Sequence, residues 1–355
     1  MTALTEVPVY GLSRDEKRPL LVEALAALTR RHAERCAPYR KILDARGGAE
    51  VKSLEDVPFI PARLFKTHDL SSVSAEETVK LLTSSGTTGG QVSRIALDKA
   101  TASEQTRALV RIMQNFIGKD RLPMLIVDHP GVIQNRDAFS ARGAGIRGMS
   151  TFGRDHTYLL RDADMSLDLA VLDAFLERNA GRPVLVFGFT FMVWEYLVQA
   201  LRRTGRRLDL GQAVLVHSGG WKKLVDRRVD NATFKAAVKE VCGIPRVHDF
   251  YGMVEQVGSV FVECEEGCLH APAHADVIVR EPGSWAPLPV GETGVIQVLS
   301  VLPGSYPGHS ILTEDLGVLL GEDDCGCGRK GRRFRVFGRI AQAEARGCSD
   351  THAAA

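Results

Sequence analysis

The run Leu82-Thr83-Ser84-Ser85-Gly86-Thr87-Thr88-Gly89-Gly90 gathers hydroxyl side chains and glycines into one short stretch. Glycine reaches backbone angles that other residues avoid, and with no side chain in the way several N–H donors can converge on one polyanion. The hydroxyls of Ser84, Ser85, Thr87 and Thr88 can donate to phosphate oxygens and complete the shell of a Mg²⁺ ion, so the loop suits a nucleoside triphosphate. It is not a Walker P-loop, because no Lys-Ser or Lys-Thr follows its last glycine. By composition alone the stretch also reads as a flexible Ser/Gly linker. A second chemical cluster lies further on. Cys264, Cys268 and His270 fall close together, and Cys325-Gly-Cys327 returns two more thiols. Cysteine and histidine at short spacing suit a tetrahedral structural Zn²⁺ that pins distant loops together. The favoured quartet is Cys264, His270, Cys325 and Cys327, with Cys268 as a substitute ligand; four reduced thiols and an ordinary histidine is the other reading.

The first run resembles the phosphate-binding signature of adenylate-forming enzymes, the superfamily of acyl-CoA ligases and peptide-synthetase adenylation domains. Its continuation Gln91-Val-Ser-Arg-Ile-Ala-Leu-Asp98, with Thr101 and Gln105, is most similar to the LuxE-type acyl-protein synthetases, which activate fatty acids for bacterial luminescence. The approach through Ile60-Pro61 and Phe65-Lys66 shares that likeness. Three later segments resemble superfamily motifs in the expected order. In Val247-His-Asp-Phe-Tyr-Gly-Met-Val-Glu-Gln256, about 165 residues after the glycine run, the resemblance implies that Tyr251 and Gly252 line the nucleotide pocket and that Glu255 holds Mg²⁺. Asp315, in Thr313-Glu-Asp-Leu-Gly317, takes the place of the acid that accepts hydrogen bonds from the ribose, and Gly338-Arg339 matches a hinge whose arginine also reaches the ribose. Gly219, Gly220 and Trp221 follow the strand Ala213–Val216, where the superfamily packs a turn against adenine; a tight turn between strand and helix is the alternative. The phosphate cradle is then Ser84, Ser85, Gly86, Thr87, Thr88 and Gly89, with Thr88 and Glu255 counted among the catalytic groups.

The C-terminal stretch departs from the superfamily. Only five residues follow Asp350, so the small mobile domain and its lysine have no counterpart; Lys222, Lys223 and Arg346 are candidate replacements. LuxE-type proteins share this shortening and carry an acyl-accepting cysteine near the end, which nominates Cys348, beside Arg346. A thiolate is the side chain best able to attack an acyl adenylate near neutral pH, and an adjacent guanidinium favours that form. An inert exposed thiol is the alternative for Cys348. The resemblance therefore implies ATP and Mg²⁺ as requirements, a carboxylic acid as substrate, and an acyl-accepting or acyl-reducing partner protein. Transfer to coenzyme A, a carrier-protein thiol or an amine stays open, as does a non-enzymatic nucleotide-binding partner.

These residues need elements to position them. Leu20–Leu43 has helical apolar spacing, with Leu21, Ala24, Leu25 and Leu28 on one face and Cys36 as a small core residue. Val57–Phe65 carries two prolines and should be extended. Helices are expected over Ala100–Ile117, Leu167–Arg178 and Met192–Arg203, and strands at Met124–Val127, Pro183–Phe187, Ala213–Val216 and Val295–Val301. The glycine-rich stretch Phe139–Gly148 is expected to be a pocket wall or a surface loop. Alternating strands and helices predict an α/β class, and by resemblance the large-domain fold of adenylate-forming enzymes with mixed sheets flanked by helices. The expected divisions are an N-terminal segment 1–78, a core 79–320 and a tail 321–355. With 45 Lys plus Arg against 43 Asp plus Glu, the formal charge of +2 gives no reason to expect a nucleic-acid partner. The N-terminus lacks an apolar signal core and no run of about 18 apolar residues occurs, so a cytoplasmic protein without an integral membrane segment is expected. An odd count of seven cysteines argues against a disulfide framework.

Overall fold

The computed structural model describes residues 3–48, 50–84, 92–134, 141–162, 164–221 and 228–340. Its strands, in chain order, are β1 (Ile60–Pro61), β2 (Lys80–Thr83), β3 (Arg94–Leu97), β4 (Leu122–Ile126), β5 (Gly153–Tyr158), β6 (Leu185–Phe189), β7 (Val214–Ser218), β8 (Arg246–Tyr251), β9 (Phe261–Glu263), β10 (Leu269–His270), β11 (Ala275–Arg280), β12 (Thr293–Ser300), β13 (Ser310–Glu322) and β14 (Arg332–Arg339). They divide between two compact units, residues 3–113 with 251–340 in the first and 114–250 in the second.

In the first unit, β11, β12, β13, β14, β10 and β9 follow one another as antiparallel neighbours, with β1 added in parallel to β13. Two prolines keep 57–63 out of helix, and only Ile60 and Pro61 pair with the sheet; the stretch expected to be extended to Phe65 ends earlier, because the short helix Leu64–Thr67 begins beyond the second proline. β2 and β3 form a separate hairpin. The core beneath the main sheet holds Tyr39, Phe65, Phe261, Val298, Tyr306 and Phe334. The amphipathic stretch expected as one helix over Leu20–Leu43 is two, Arg14–Arg35 and Ala37–Ala45, broken at an extended Cys36. Pro38 is the reason: it has no N–H to donate back into the preceding turn but is at home in the first turn of a new helix. Cys36 is a buried core residue, as expected.

The first helix seats a buried imidazole pair. His32 Nε2 meets Pro303 O at 3.0 Å and its Nδ1 meets Ser72 Oγ at 2.8 Å, while the ring stacks on His309 at 5.1 Å between centroids. Burial depresses His32 to about 4 and holds His309 well below its ordinary value. A histidine depressed on folding contributes stability that is present above its unfolded pKa and lost as pH falls toward the folded one. From pH 7 to pH 5, His32 alone should forfeit about 2 kcal/mol. Denaturant melts at the two pH values measure this, and a His32→Gln variant should lose part of the difference.

The second unit is a parallel sheet in the order β8, β7, β6, β4, β5, connected by helices. Leu185, Phe187, Val214, Leu215 and Val216 are fully buried, the pattern of parallel strands covered on both faces. Residues 190–203 form one helical path whose middle, Val193–Gln199, is π-helical. Phe139–Gly148 is not a loop where it is described: Ala141–Ser150 is helical. Its glycines allow close packing rather than disorder, since a Cβ at Gly145 would stand 3.0 Å from Phe189 Cζ, and Ile146 and Met149 are buried. No helix among the described residues is long and apolar enough to cross a membrane.

Candidate active site

The first unit brings together three residues that are far apart in sequence. Tyr251, at the end of β8, packs its ring near Phe261 and Phe334, at 6.3 and 6.4 Å between centroids. Its hydroxyl donates to Asp315 Oδ2 at 2.6 Å. The pairing of β13 with β14 sets Asp315 opposite Arg339, and Arg339 Nε stands 3.9 Å from Asp315 Oδ1. The Asp315 backbone N–H donates to Thr313 Oγ1 at 3.1 Å, and that hydroxyl donates to Ile296 O, which fixes the strand locally. Burial raises the Asp315 carboxyl above its ordinary range, although Tyr251 and Arg339 both pull it down. Burial and the neighbouring Asp315 carboxylate push the Tyr251 phenol well up, so it remains a donor at any physiological pH. A carboxylate with a fixed phenol on one oxygen and a guanidinium beside the other can still accept from a vicinal diol.

A second group lies where the strands of the hairpin meet its connecting loop. Ser84 follows β2 and Ser93 precedes β3; Ser84 N donates to Ser93 O at 3.1 Å, and Ser93 N donates to Ser84 Oγ at 2.8 Å. Ser93 Oγ then donates to Glu255 Oε1 at 2.6 Å. Glu255 sits in the 3₁₀ turn Val254–Gln256, whose backbone is anchored by Gln256 Nε2 to Gly308 O and Val298 O at 2.7 and 3.2 Å. Close packing shapes the chain on either side: a Cβ at Gly252 would stand 3.0 Å from Val260 Cγ1, and one on Gly258, at φ +89°, would meet the Gln105 backbone at 2.6 Å. Burial raises Glu255, while Ser93, Lys66 and Arg339 oppose the shift. The Glu255 charge is thus incompletely balanced by the protein, which is the condition under which a divalent cation beside it is most stabilising.

In the second unit, Gly219 and Gly220 follow the carboxyl end of β7. Ser218 Oγ donates to Phe250 O at 2.8 Å, and Gly219 takes φ +85°, with space for a Cβ denied by Phe189 Cδ1 at 2.9 Å. Trp221 packs inward, edge-on to Trp194 at 5.7 Å and to Phe234 at 6.4 Å. Its indole anchors the turn, whereas nothing lies within 4 Å of a Cβ position at Gly220. The expected residues Ser85, Gly86, Thr87, Thr88, Gly89, Lys222, Lys223, Arg346 and Cys348 lie outside the described residues.

Cys264, His270, Cys325 and Cys327 converge, with all four ligand atoms within 4.8 Å of one another. Cys264 Sγ is 3.8 Å from Cys325 Sγ, and Cys327 Sγ is 3.5 Å from His270 Nε2. Zinc bonds of about 2.3 Å to sulfur and about 2.0 Å to nitrogen, set tetrahedrally, require separations of about 3.8 and 3.5 Å, so the donors fit that ion. Burial, then the thiols of Cys327 and Cys325, push Cys264 up to about 12. Burial and the guanidinium groups of Arg329 and Arg333 lower His270 to about 4, which keeps its nitrogen unprotonated and able to ligate. Cys268 stands apart from the four, its sulfur 3.9 Å from Arg333 Nη1.

Ser93, Thr313 and the charge of Lys66 gained no role from the sequence. Ser93 sat inside the Gln91–Asp98 continuation of the phosphate-binding run, where the resemblance gave it no role of its own. Lys66 stood out only as part of the Phe-Lys approach.

A family model described as Acyl-protein synthetase, LuxE, matches residues 4–355. The long-chain-fatty-acid–luciferin-component ligase of Vibrio harveyi is 23% identical over 349 residues, covering 95% of this chain and 88% of that protein. The enzyme of the same name from Aliivibrio fischeri is 22% identical over 301 residues, covering 81% and 76%. Among solved structures, an open conformation of 2-hydroxyisobutyryl-CoA ligase, in complex with 2-HIB-AMP and CoA, matches with TM-score 0.70 at 18% identity, over 93% of this chain and 76% of that one. The same ligase in its postadenylation state matches at 0.71, also at 18% identity, over 94% and 69%. The α/β fold with mixed sheets flanked by helices is that of the adenylate-forming ligases.

Proposed function

The chain belongs to the LuxE acyl-protein synthetase family, and from that premise we propose that it activates a long-chain fatty acid with ATP and passes the acyl group to a cysteine thiol, its own Cys348. The observation that carries this is the Tyr251–Asp315–Arg339 constellation, assembled from three motifs that are separate in sequence. In the first unit, Asp315 and Arg339 hold the ribose, with Tyr251 and Gly252 beside it; in the second, Trp221 secures the Gly219–Gly220 turn, which is the candidate for packing against a base. The run Ser84–Gly89, Thr88 included, receives the phosphates. The fatty carboxylate attacks the α-phosphorus, the bond to pyrophosphate breaks, and acyl-AMP forms. Glu255 holds Mg²⁺, which when bound neutralises phosphate charge. The Cys348 thiolate then attacks the acyl carbonyl, its proton having gone to solvent, and the bond to AMP breaks. The thioester is available to an acyl-reducing partner in the cytoplasm. Cys264, His270, Cys325 and Cys327 hold a structural Zn²⁺.

Incubation with ATP and a panel of fatty acids, followed by intact mass measurement, tests the acceptor. The expected result is one hydroxylamine-labile acyl increment, lost in Cys348→Ser. An increment that survives the substitution, or thioester found only on added coenzyme A or a carrier protein, would remove Cys348 from the scheme.

A further inference from the structure

We propose that Ser93 is a positioning residue for Glu255, fixing the carboxylate in the orientation that receives the metal of Mg·ATP. This rests on the nucleotide-activating function argued above and names a residue that nothing else assigns to it. Ser93 has no exposed surface and Glu255 is 7% exposed, so water does not compete for their 2.6 Å hydrogen bond. The direction of the bond is set by chemistry: an ionised carboxylate only accepts, so the serine hydroxyl donates. Oε1 is thereby occupied and Oε2 is left to a cation.

The turn backbone needs no such help, because Gln256 already ties it to Gly308 and Val298. What Ser93 adds is control of the Glu255 side-chain torsion. It does so from a backbone locked in both directions to Ser84, the residue with which the phosphate-binding run opens. Glu255 and Ser84 are in this way referred to one residue.

A double-mutant cycle decides it, with Mg·ATP affinity measured by calorimetry on Ser93→Ala, Glu255→Gln and the double variant. Ser93→Ala should weaken Mg·ATP by about 10-fold, the loss of one charge-assisted hydrogen bond. Affinity for ATP in the presence of a chelator should not change. The double variant should bind no more weakly than Glu255→Gln, since Ser93 acts only through that acid, and Ser93→Thr, which keeps the hydroxyl, should recover most of the affinity. Unchanged Mg·ATP affinity in Ser93→Ala, or additive losses in the double variant, overturns the assignment even if the melting temperature falls. A wild-type chain that fails to bind Mg·ATP at all would instead overturn the function on which it rests.

Discussion

Glu255→Gln is expected to lower fatty-acid-dependent exchange of pyrophosphate into ATP by about 10³-fold, because a neutral amide cannot neutralise the charge gathered at the reacting phosphate. The substitution keeps the shape of the side chain, and the amide oxygen can still accept from Ser93, so the surrounding geometry has no reason to change. Stability should move the opposite way. Burial raises the Glu255 carboxyl, which means that folding favours its neutral form; such a group contributes stability that is present below its unfolded pKa and lost as pH rises through the folded one. At neutral pH the wild-type side chain therefore bears a penalty that glutamine lacks. A variant that melts at or above the wild-type temperature with its exchange activity gone is the expected pair of results. Loss of activity together with loss of folding would instead make Glu255 a structural residue.

The second large effect concerns the thiol cluster. Purified chain should carry one zinc, held by three sulfurs and one nitrogen in X-ray absorption, as the converging Cys264, His270, Cys325 and Cys327 require. Cys264→Ala should abolish zinc binding and lower the unfolding midpoint by about 10 °C or more, since metal-binding free energy at a structural site is folding free energy. The cluster joins the strands at Phe261–Glu263 and Leu269–His270 to the turn between β13 and β14, and those same elements carry Asp315 and Arg339. Zinc loss should consequently weaken nucleotide binding as well. A chain free of zinc whose melting is unmoved by a chelator would show the cluster to be four reduced thiols and a neutral imidazole.

The residues that were legible in the sequence are those whose chemistry is carried by type and order. Tyr251, Glu255, Asp315 and Arg339 stood in recognisable motifs, and the structure adds that Tyr251, Asp315 and Arg339 are neighbours. The convergence of Cys264, His270, Cys325 and Cys327 was legible for a similar reason: thiols and imidazole at short spacing suggest a shared site. In 114–250 the strands expected at Met124–Val127, Pro183–Phe187 and Ala213–Val216 and the helices expected at Leu167–Arg178 and Met192–Arg203 followed from apolar periodicity, because parallel strands such as Leu185–Phe189 are continuous apolar runs, whereas the polar strand Gly153–Tyr158 and the helix Asn231–Cys242 were not anticipated. Three of the features that were not legible have a clear physical reason. The break at Cys36 depends on a single Pro38 inside an otherwise unbroken helical pattern. The helix Ala141–Ser150 is glycine-rich, and only its close approach to Phe189 shows why glycine is tolerated there. Ser93 acquires its role from a partner 162 positions away, a distance over which neither periodicity nor spacing carries information.

Exchange of labelled pyrophosphate into ATP by the wild-type chain is the most direct test of acid activation. Label should enter ATP when a long-chain fatty acid is supplied and should not enter without one. A chain that binds Mg·ATP but exchanges no label with any fatty acid would contradict the account.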